Sequence, residues 1–168
     1  PYLEDDEYWQ VNSPTIQNIA DYFSSPKQIY NFVIDELEYD FENLKNTERL
    51  GAVEAYKQKQ GVCTEFSDLF ITLSRATKIP ARELQGFAFT ENKELFTLAA
   101  ENDVLHSWVE YWDSSKKIWV PADPTWAKTT EGIDFIDDFD LGHFAFVIHG
   151  HSSTNPAPPG FYKTTNNQ

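Results

Sequence analysis

The stretch QKQGVCTEFSDLFITLSRATKIPAR holds the single cysteine of the chain, Cys63. A thiol becomes a strong nucleophile as thiolate. That form is favoured at a helix N-terminus, by free backbone N–H groups and the dipole, and beside an imidazole that takes the proton. Cys63 follows Gly61 and Val62 at the point where a helical pattern begins, so the first of these settings is expected. A lone cysteine also serves as a small apolar core residue, and position alone leaves both readings open. The base must come from four histidines. His143, His149 and His151 cluster in GHFAFVIHGH, whereas His106 stands alone in LHSWVEYW. A histidine on a strand is often just a satisfied polar group. His106 is singled out because VPADPTW lies on the hairpin partner of its strand. Pairing across DSSK brings Asp123 within a residue or two of its level. A carboxylate there accepts the imidazole N–H, fixes the tautomer and stabilises the imidazolium. Asp before Pro is also an ordinary turn residue.

These groups need elements to hold them. SSPKQIYNFVIDELEYD reads as a helix, with Ser25 as N-cap, Pro26 in the first turn and Ile29, Phe32, Val33 and Leu37 at helical spacing. RLGAVEAYKQKQG is a second, short helix that stops near Gly61. TEFSDLFITLSRATKIP is the clearest, its stripe formed by Phe66, Leu69, Phe70, Leu73 and Ala76, with Pro80 beyond its end. The period then changes. ARELQGFAF, VLHSWVEYWD, KIWVPAD and HFAFVIHGH read as strands, and in the second of these His106, Trp108, Glu110 and Trp112 share one face. Helices first and strands later predict an α+β domain, with N-terminal helices packed on an antiparallel sheet. The expected organisation is an acidic, aromatic arm over 1–24, one domain over 25–151 and a Pro/Asn/Thr-rich tail over 152–168.

Composition narrows the partners. The chain has 168 residues, enough for one core, and carries 27 acidic against 13 basic residues, a formal net charge of −14. That charge repels phosphate backbones and anionic membrane surfaces, so neither nucleic acid nor membrane is an expected partner. No apolar run approaches the ~18 residues of a membrane helix. One cysteine forms no internal disulfide and supports no zinc site built on several thiolates. The acidic run EGIDFIDDFDLGH, with Asp134, Asp137, Asp138 and Asp140, lacks the EF-hand pattern and reads as a solvated loop; His149 and His151 form only a weak metal pair. The chain begins at Pro1 and contains no Met, which reads as a processed protein or a domain of a larger chain. An extracytoplasmic or cell-surface location is the expectation that follows.

Taken in order, the pieces resemble the transglutaminase-like superfamily of cysteine enzymes. Gly61 and Cys63 match its Gly-x-Cys. Arg75, Ile79, Pro80, Ala81 and Arg82 match the Arg-x-x-x-Ile-Pro-Ala-Arg that follows. His106, Trp108 and Glu110 match His-x-Trp-x-Glu, and Trp119, Asp123, Pro124 and Thr125 match Trp-x-x-x-Asp-Pro-Thr. The resemblance implies a papain-like core with Cys63 as nucleophile, His106 as base and then acid, and Asp123 as the orienting group. It implies a thioester formed from an amide of a protein or peptide substrate, resolved by water or by an amine, with no metal or cofactor required. Hydrolysis is the favoured outcome. Protein-glutamine transamidation is the alternative, and a non-catalytic binding module that retains the fold is the alternative of another class. The Cys63 backbone N–H is one oxyanion donor, with Gln58 and Gln60 as candidates for the second. Trp108 and Trp119 are candidates for walls of the site, Glu110 for a supporting residue and Arg82 for a structural ion partner.

Overall fold

The computed structural model describes residues 1–42, 48–89, 103–130 and 133–157. Helices α1 (Pro14–Ala20), α2 (Pro26–Glu36) and α3 (Gly51–Gln58) precede the central helix α4 (Cys63–Ala76). Two short strands, β1 (Glu38–Tyr39) and β2 (Gln60–Gly61), pair in parallel and hold the chain just before Cys63. Strands β3 (Ala81–Phe89), β4 (Asp103–Asp113), β5 (Ile118–Ala122) and β6 (His143–His149) form an antiparallel sheet in the order β5-β4-β3-β6, and helix α5 (Pro124–Thr129) follows β5 directly. This is the expected α+β arrangement of helices on an antiparallel sheet.

Local chemistry sets the element ends. The Ser25 hydroxyl accepts from the Gln28 N–H and Pro26 opens α2, as the pattern predicts. Helix α3 ends on Lys59 in the left-handed region (φ 59°), which turns the chain into β2. Helix α4 is buried all round from Glu65 to Arg75 rather than on one stripe. Phe66, Leu69, Phe70 and Leu73 join the core, while Glu65, Ser67, Asp68, Thr72, Ser74 and Arg75 are also buried. It runs between the other helices and the sheet, so its polar residues face protein too.

Those polar residues bolt the layers together. Arg49 donates through Nε to Asp68 at 2.9 Å and through a terminal nitrogen to Glu83 at 3.0 Å. Glu83, on β3, also accepts from the Ser107 hydroxyl of β4 at 2.7 Å, and its other oxygen lies 2.8 Å from His149 Nδ1 of β6. Burial raises its proton affinity, but Arg49 and His149 outweigh that and hold the carboxyl at about 2.

The first 24 residues depart from the expected arm. They contain α1, and Trp9, Val11 and Ile16 are buried core residues. Trp9 donates to Asp68 at 2.9 Å and stacks under the Arg75 guanidinium, whose carbon lies 4.2 Å from the ring centroid. An aperiodic, acidic opening concealed these anchors because single buried side chains leave no period. Residues 158–168 of the expected tail lie outside the described residues.

Candidate active site

Cys63 is the first residue of α4. The start of that helix is built by Glu65, whose carboxylate accepts from the Val62 N–H and the Leu50 N–H, both at 3.0 Å. Gly61 makes this possible: a Cβ there would sit 2.3 Å from the Glu65 Cβ. The Gly-x-Cys spacing thus leaves room for the side chain that caps the helix and presents the thiol. The N–H groups of Glu65 and Phe66 donate to the Val62 carbonyl, at 3.0 and 3.2 Å, whereas those of Cys63 and Thr64 have no carbonyl earlier in the helix to donate to and point beyond the helix start.

His106 lies on β4, across from Gly86 of β3. The β4–β5 hairpin pairs Val109 with Ala122, so the next residue, Asp123, comes level with the His106 region, as the hairpin reading requires. Asp123 ends the strand and N-caps α5, its Oδ1 accepting from the Trp126 N–H at 2.9 Å. Its Oδ2 lies 2.7 Å from His106 Nε2 and 2.9 Å from His143 Nε2. His143 in turn places Nδ1 2.8 Å from Asp140. Trp126 stacks on His106 with centroids 3.6 Å apart, and Trp108 lies parallel to it at 6.1 Å.

Cys63 and His106 line one cleft of about 150 Å³. Its walls are Cys63 and Thr64 from α4, Gln85 and Gly86 from β3, and Leu105, His106 and Ser107 from β4. The carboxylate of Asp123 can only accept, so His106 Nε2 carries a proton and Nδ1 keeps the lone pair. Cys63 retains some exposure to the cleft. Its dense surroundings nevertheless push the thiol up to about 12, relieved in part by the backbone of Ser107 and worsened by Glu65, Asp123 and Glu83. The helix start alone therefore does not ionise it, contrary to the expectation from position. Burial also lowers His106, against the pull of Asp123. Asp123 itself is held well below the usual carboxylate range, because His106 and then His143 outweigh its burial. Burial thus favours the uncharged form of both the thiol and the imidazole.

The other expected site residues are distributed differently. Gln58 is exposed and donates to Glu54 at 3.2 Å, and Gln60 is exposed in β2; neither lines the cleft. The left-handed turn at Lys59 breaks the path that sequence proximity to Cys63 suggested. Trp119 packs on Tyr2 and Trp112 with Arg82 over its ring and does not line this cleft. Glu110 is spent on Arg82, 2.6 Å away, four residues along β4 from His106. Trp108 is buried against His106 and His143. Trp126 and Gln85 were not anticipated. His143 was considered as a base, but nothing in the sequence marked it as a partner of Asp123.

Among the described residues, one group has metal-capable atoms close together: His106, Asp123 and His143, all within 4.8 Å. Separations of 2.7 and 2.9 Å are hydrogen-bond lengths, whereas ligands on a tetrahedral zinc stand roughly 3.3 Å apart for bonds of about 2.0 Å. The acidic loop is engaged as well: Asp134 and Asp137 pair with Lys27, and Asp140 with His143. His149 and His151 do not converge, since His149 is buried on Glu83 while His151 packs on Tyr2.

Fold and site together define a cysteine-enzyme fold with its thiol at the start of a central helix and its histidine on the neighbouring sheet. The chain belongs to the transglutaminase-like superfamily, whose model matches residues 10–124. It is 33% identical over 95 residues to the uncharacterised protein YebA of Bacillus subtilis (strain 168), an alignment spanning 52% of this chain and 13% of that protein. Its fold is similar to a proposed cysteine protease from Cytophaga hutchinsonii, with a TM-score of 0.61, 21% identity, and 89% of this chain aligned to 53% of that one. It is also similar to the periplasmic domain of TgpA from Pseudomonas aeruginosa, with a TM-score of 0.52, 22% identity and 77% of this chain aligned to 49% of that one. The chain thus spans a small part of its curated relative and about half of each of these structures.

Proposed function

We propose that this domain is a thiol enzyme that opens amide bonds of proteins or peptides through a thioester on Cys63, and that water is its usual acceptor. The observation that carries this is the shared cleft of Cys63 and His106, with His106 Nε2 committed to Asp123 and Nδ1 left as the basic nitrogen. As the sulfur attacks the carbonyl carbon, its proton passes to His106 Nδ1. Asp123 stabilises the imidazolium so formed. The oxyanion faces the first-turn N–H groups of α4, with that of Cys63 as the first donor. Gln85 also lines the cleft, and one hydrogen of its amide N–H₂ donates to Glu83 at 2.8 Å, which leaves the other as a candidate second donor. Collapse returns the proton to the leaving nitrogen and releases ammonia or an amine. Water, deprotonated by His106, then attacks the thioester and frees the acid and the thiol.

Transamidation uses the same first half, and the net charge of −14 favours approach of lysine amines. Acyl transfer also needs a second site that holds the amine and excludes water. The cleft described here is small, which supports hydrolysis. An extracytoplasmic setting is part of this reading, supported by the likeness to a periplasmic domain; none of the described helices is long and apolar enough to cross a membrane. The test offers a glutamine-containing peptide with and without a labelled primary amine. Ammonia release outpacing amine incorporation is expected, and the reverse makes the domain a transamidase. If neither occurs, a peptide library read for backbone cleavage decides between proteolysis and a non-catalytic module.

A further inference from the structure

We propose that His143 is a positioning residue of the thiol site: a cationic brace that ties Asp123 to Asp140 and sets how readily His106 takes a proton. This rests on the reading of Cys63, His106 and Asp123 given above. A carboxylate oxygen only accepts hydrogen bonds, so a ring nitrogen facing one must carry hydrogen. Both nitrogens of His143 face carboxylates, Nε2 at 2.9 Å from Asp123 and Nδ1 at 2.8 Å from Asp140. A ring so placed is an imidazolium. Asp123 then has three donors, from His106, His143 and the Trp126 backbone.

The surroundings make that charge felt. The titratable groups facing His143 are Asp123, Asp140 and His106, whose ring centroid is 5.9 Å away. The other walls are aromatic: Phe139 at 4.5 Å, Trp108 at 5.0 Å and Phe135 at 6.1 Å between centroids. Burial works against the charged ring, yet the bonds to Asp123 and Asp140 prevail and raise its proton affinity. A second positive charge on His106 is correspondingly disfavoured, and His143 contributes to its lowered affinity. The brace has firm footings. His143 sits opposite Ala88 in the β3–β6 ladder, and the loop bearing Asp140 is held to α2 by the pairs of Lys27 with Asp134 and Asp137. His106 thus remains an unprotonated base to lower pH than Asp123 alone would allow.

The experiment follows iodoacetamide alkylation of Cys63, the one thiol present, against pH, with nitrogen-15 spectra of the imidazoles. His143→Gln should move the acid limb of alkylation to higher pH and slow the plateau by about 10-fold, the order expected when a base loses its aim. A merely structural role would lower the melting temperature without moving the limb. Asp140→Asn, on the exposed side, keeps an acceptor but removes the charge, and should lower the pH at which His143 loses its proton. An unmoved limb in folded His143→Gln overturns the brace, and where that variant does not fold, an unmoved His143 titration in Asp140→Asn does so. If instead His106→Gln alkylates as fast as the unmodified protein, the thiol-site reading falls. The spectra still judge the brace in that case, since a singly protonated His143 at pH 7 overturns it.

Discussion

At Cys63 two effects of opposite sign meet. The helix start favours a thiolate by about 0.3–1 kcal/mol, up to about 2 where partly buried. Burial and three nearby carboxylates favour the thiol and win, leaving it near 12. On the proposed mechanism, reactivity comes from transfer of the proton to His106 during attack. Cys63→Ala should abolish activity and alkylation while leaving the melting temperature within about 2 °C, since Cys63 lies outside the buried apolar core cluster; full activity in that variant sinks the assignment. Asp123→Asn is more informative than Asp123→Ala. Asn caps a helix as well as Asp does, so α5 survives, while the amide no longer holds the His106 proton on Nε2. A rate loss on the order of 10³–10⁴-fold with unchanged unfolding is expected, measured as kcat beside a denaturant melt. The pH profile has a definite sign. Burial lowers His106, so the neutral base persists below the ordinary value of 6.5 and the rate falls only as pH drops through the lowered one. An acid limb above pH 6.5 contradicts this.

Among the elements, the start of α4 is the most constrained. Gly61→Ala puts a Cβ into Glu65 and must displace the carboxylate that holds Val62 and Leu50. Overpacking of this kind costs about 1–3 kcal/mol, and here it also re-aims the thiol. Slower alkylation of Cys63 together with a lower denaturant midpoint is expected; a drop in stability alone shows the cap to be structural only. Strand β6 approaches β3 closely for a similar reason. At Gly86 a Cβ would stand 2.0 Å from the Phe144 carbonyl oxygen, beside the bulge between Gln85 and Gly86. That bare backbone lets β6 deliver His143 to Asp123.

For the molecule as a whole, Arg75 is the fastening point. Its guanidinium donates to the carbonyls of Ala81, Glu4 and Gly150, which joins the end of α4 to both ends of the described chain. Burial lowers its proton affinity to about 10. A lysine has one ammonium in place of this planar fork, so Arg75→Lys should cost about 2–4 kcal/mol in a urea melt. A loss below about 0.5 kcal/mol rules out the fastening role. Chelation is the other global test. The grouped His106, Asp123 and His143 are engaged in hydrogen bonds, so EDTA should leave the alkylation rate of Cys63 unchanged. A loss restored by one divalent ion would contradict that and point to this cluster or to the loop over 134–140.

What could be read from the chain alone was whatever depends on near neighbours. The helix start at Cys63 follows from Gly61, Glu65 and the apolar spacing of Phe66, Leu69, Phe70 and Leu73, all within a few turns. The closeness of His106 and Asp123 follows from the phase of a hairpin closed by a short turn. Gln58 and Gln60 show the limit of the same logic, since one left-handed residue at Lys59 is enough to point neighbours in sequence away from the thiol. Tertiary packing alone decided the rest. His143 meets Asp123 because β6 adds to β3 across more than 50 residues, a pairing that no local period encodes. Trp126 covers His106 because Asp123 turns the strand into α5. The burial that raises Cys63 and lowers His106, and the two carboxylates that raise His143 against it, are properties of the closed fold. A residue's type supplies its chemistry, but the direction in which its affinity for a proton moves depends on which distant side chains exclude water around it.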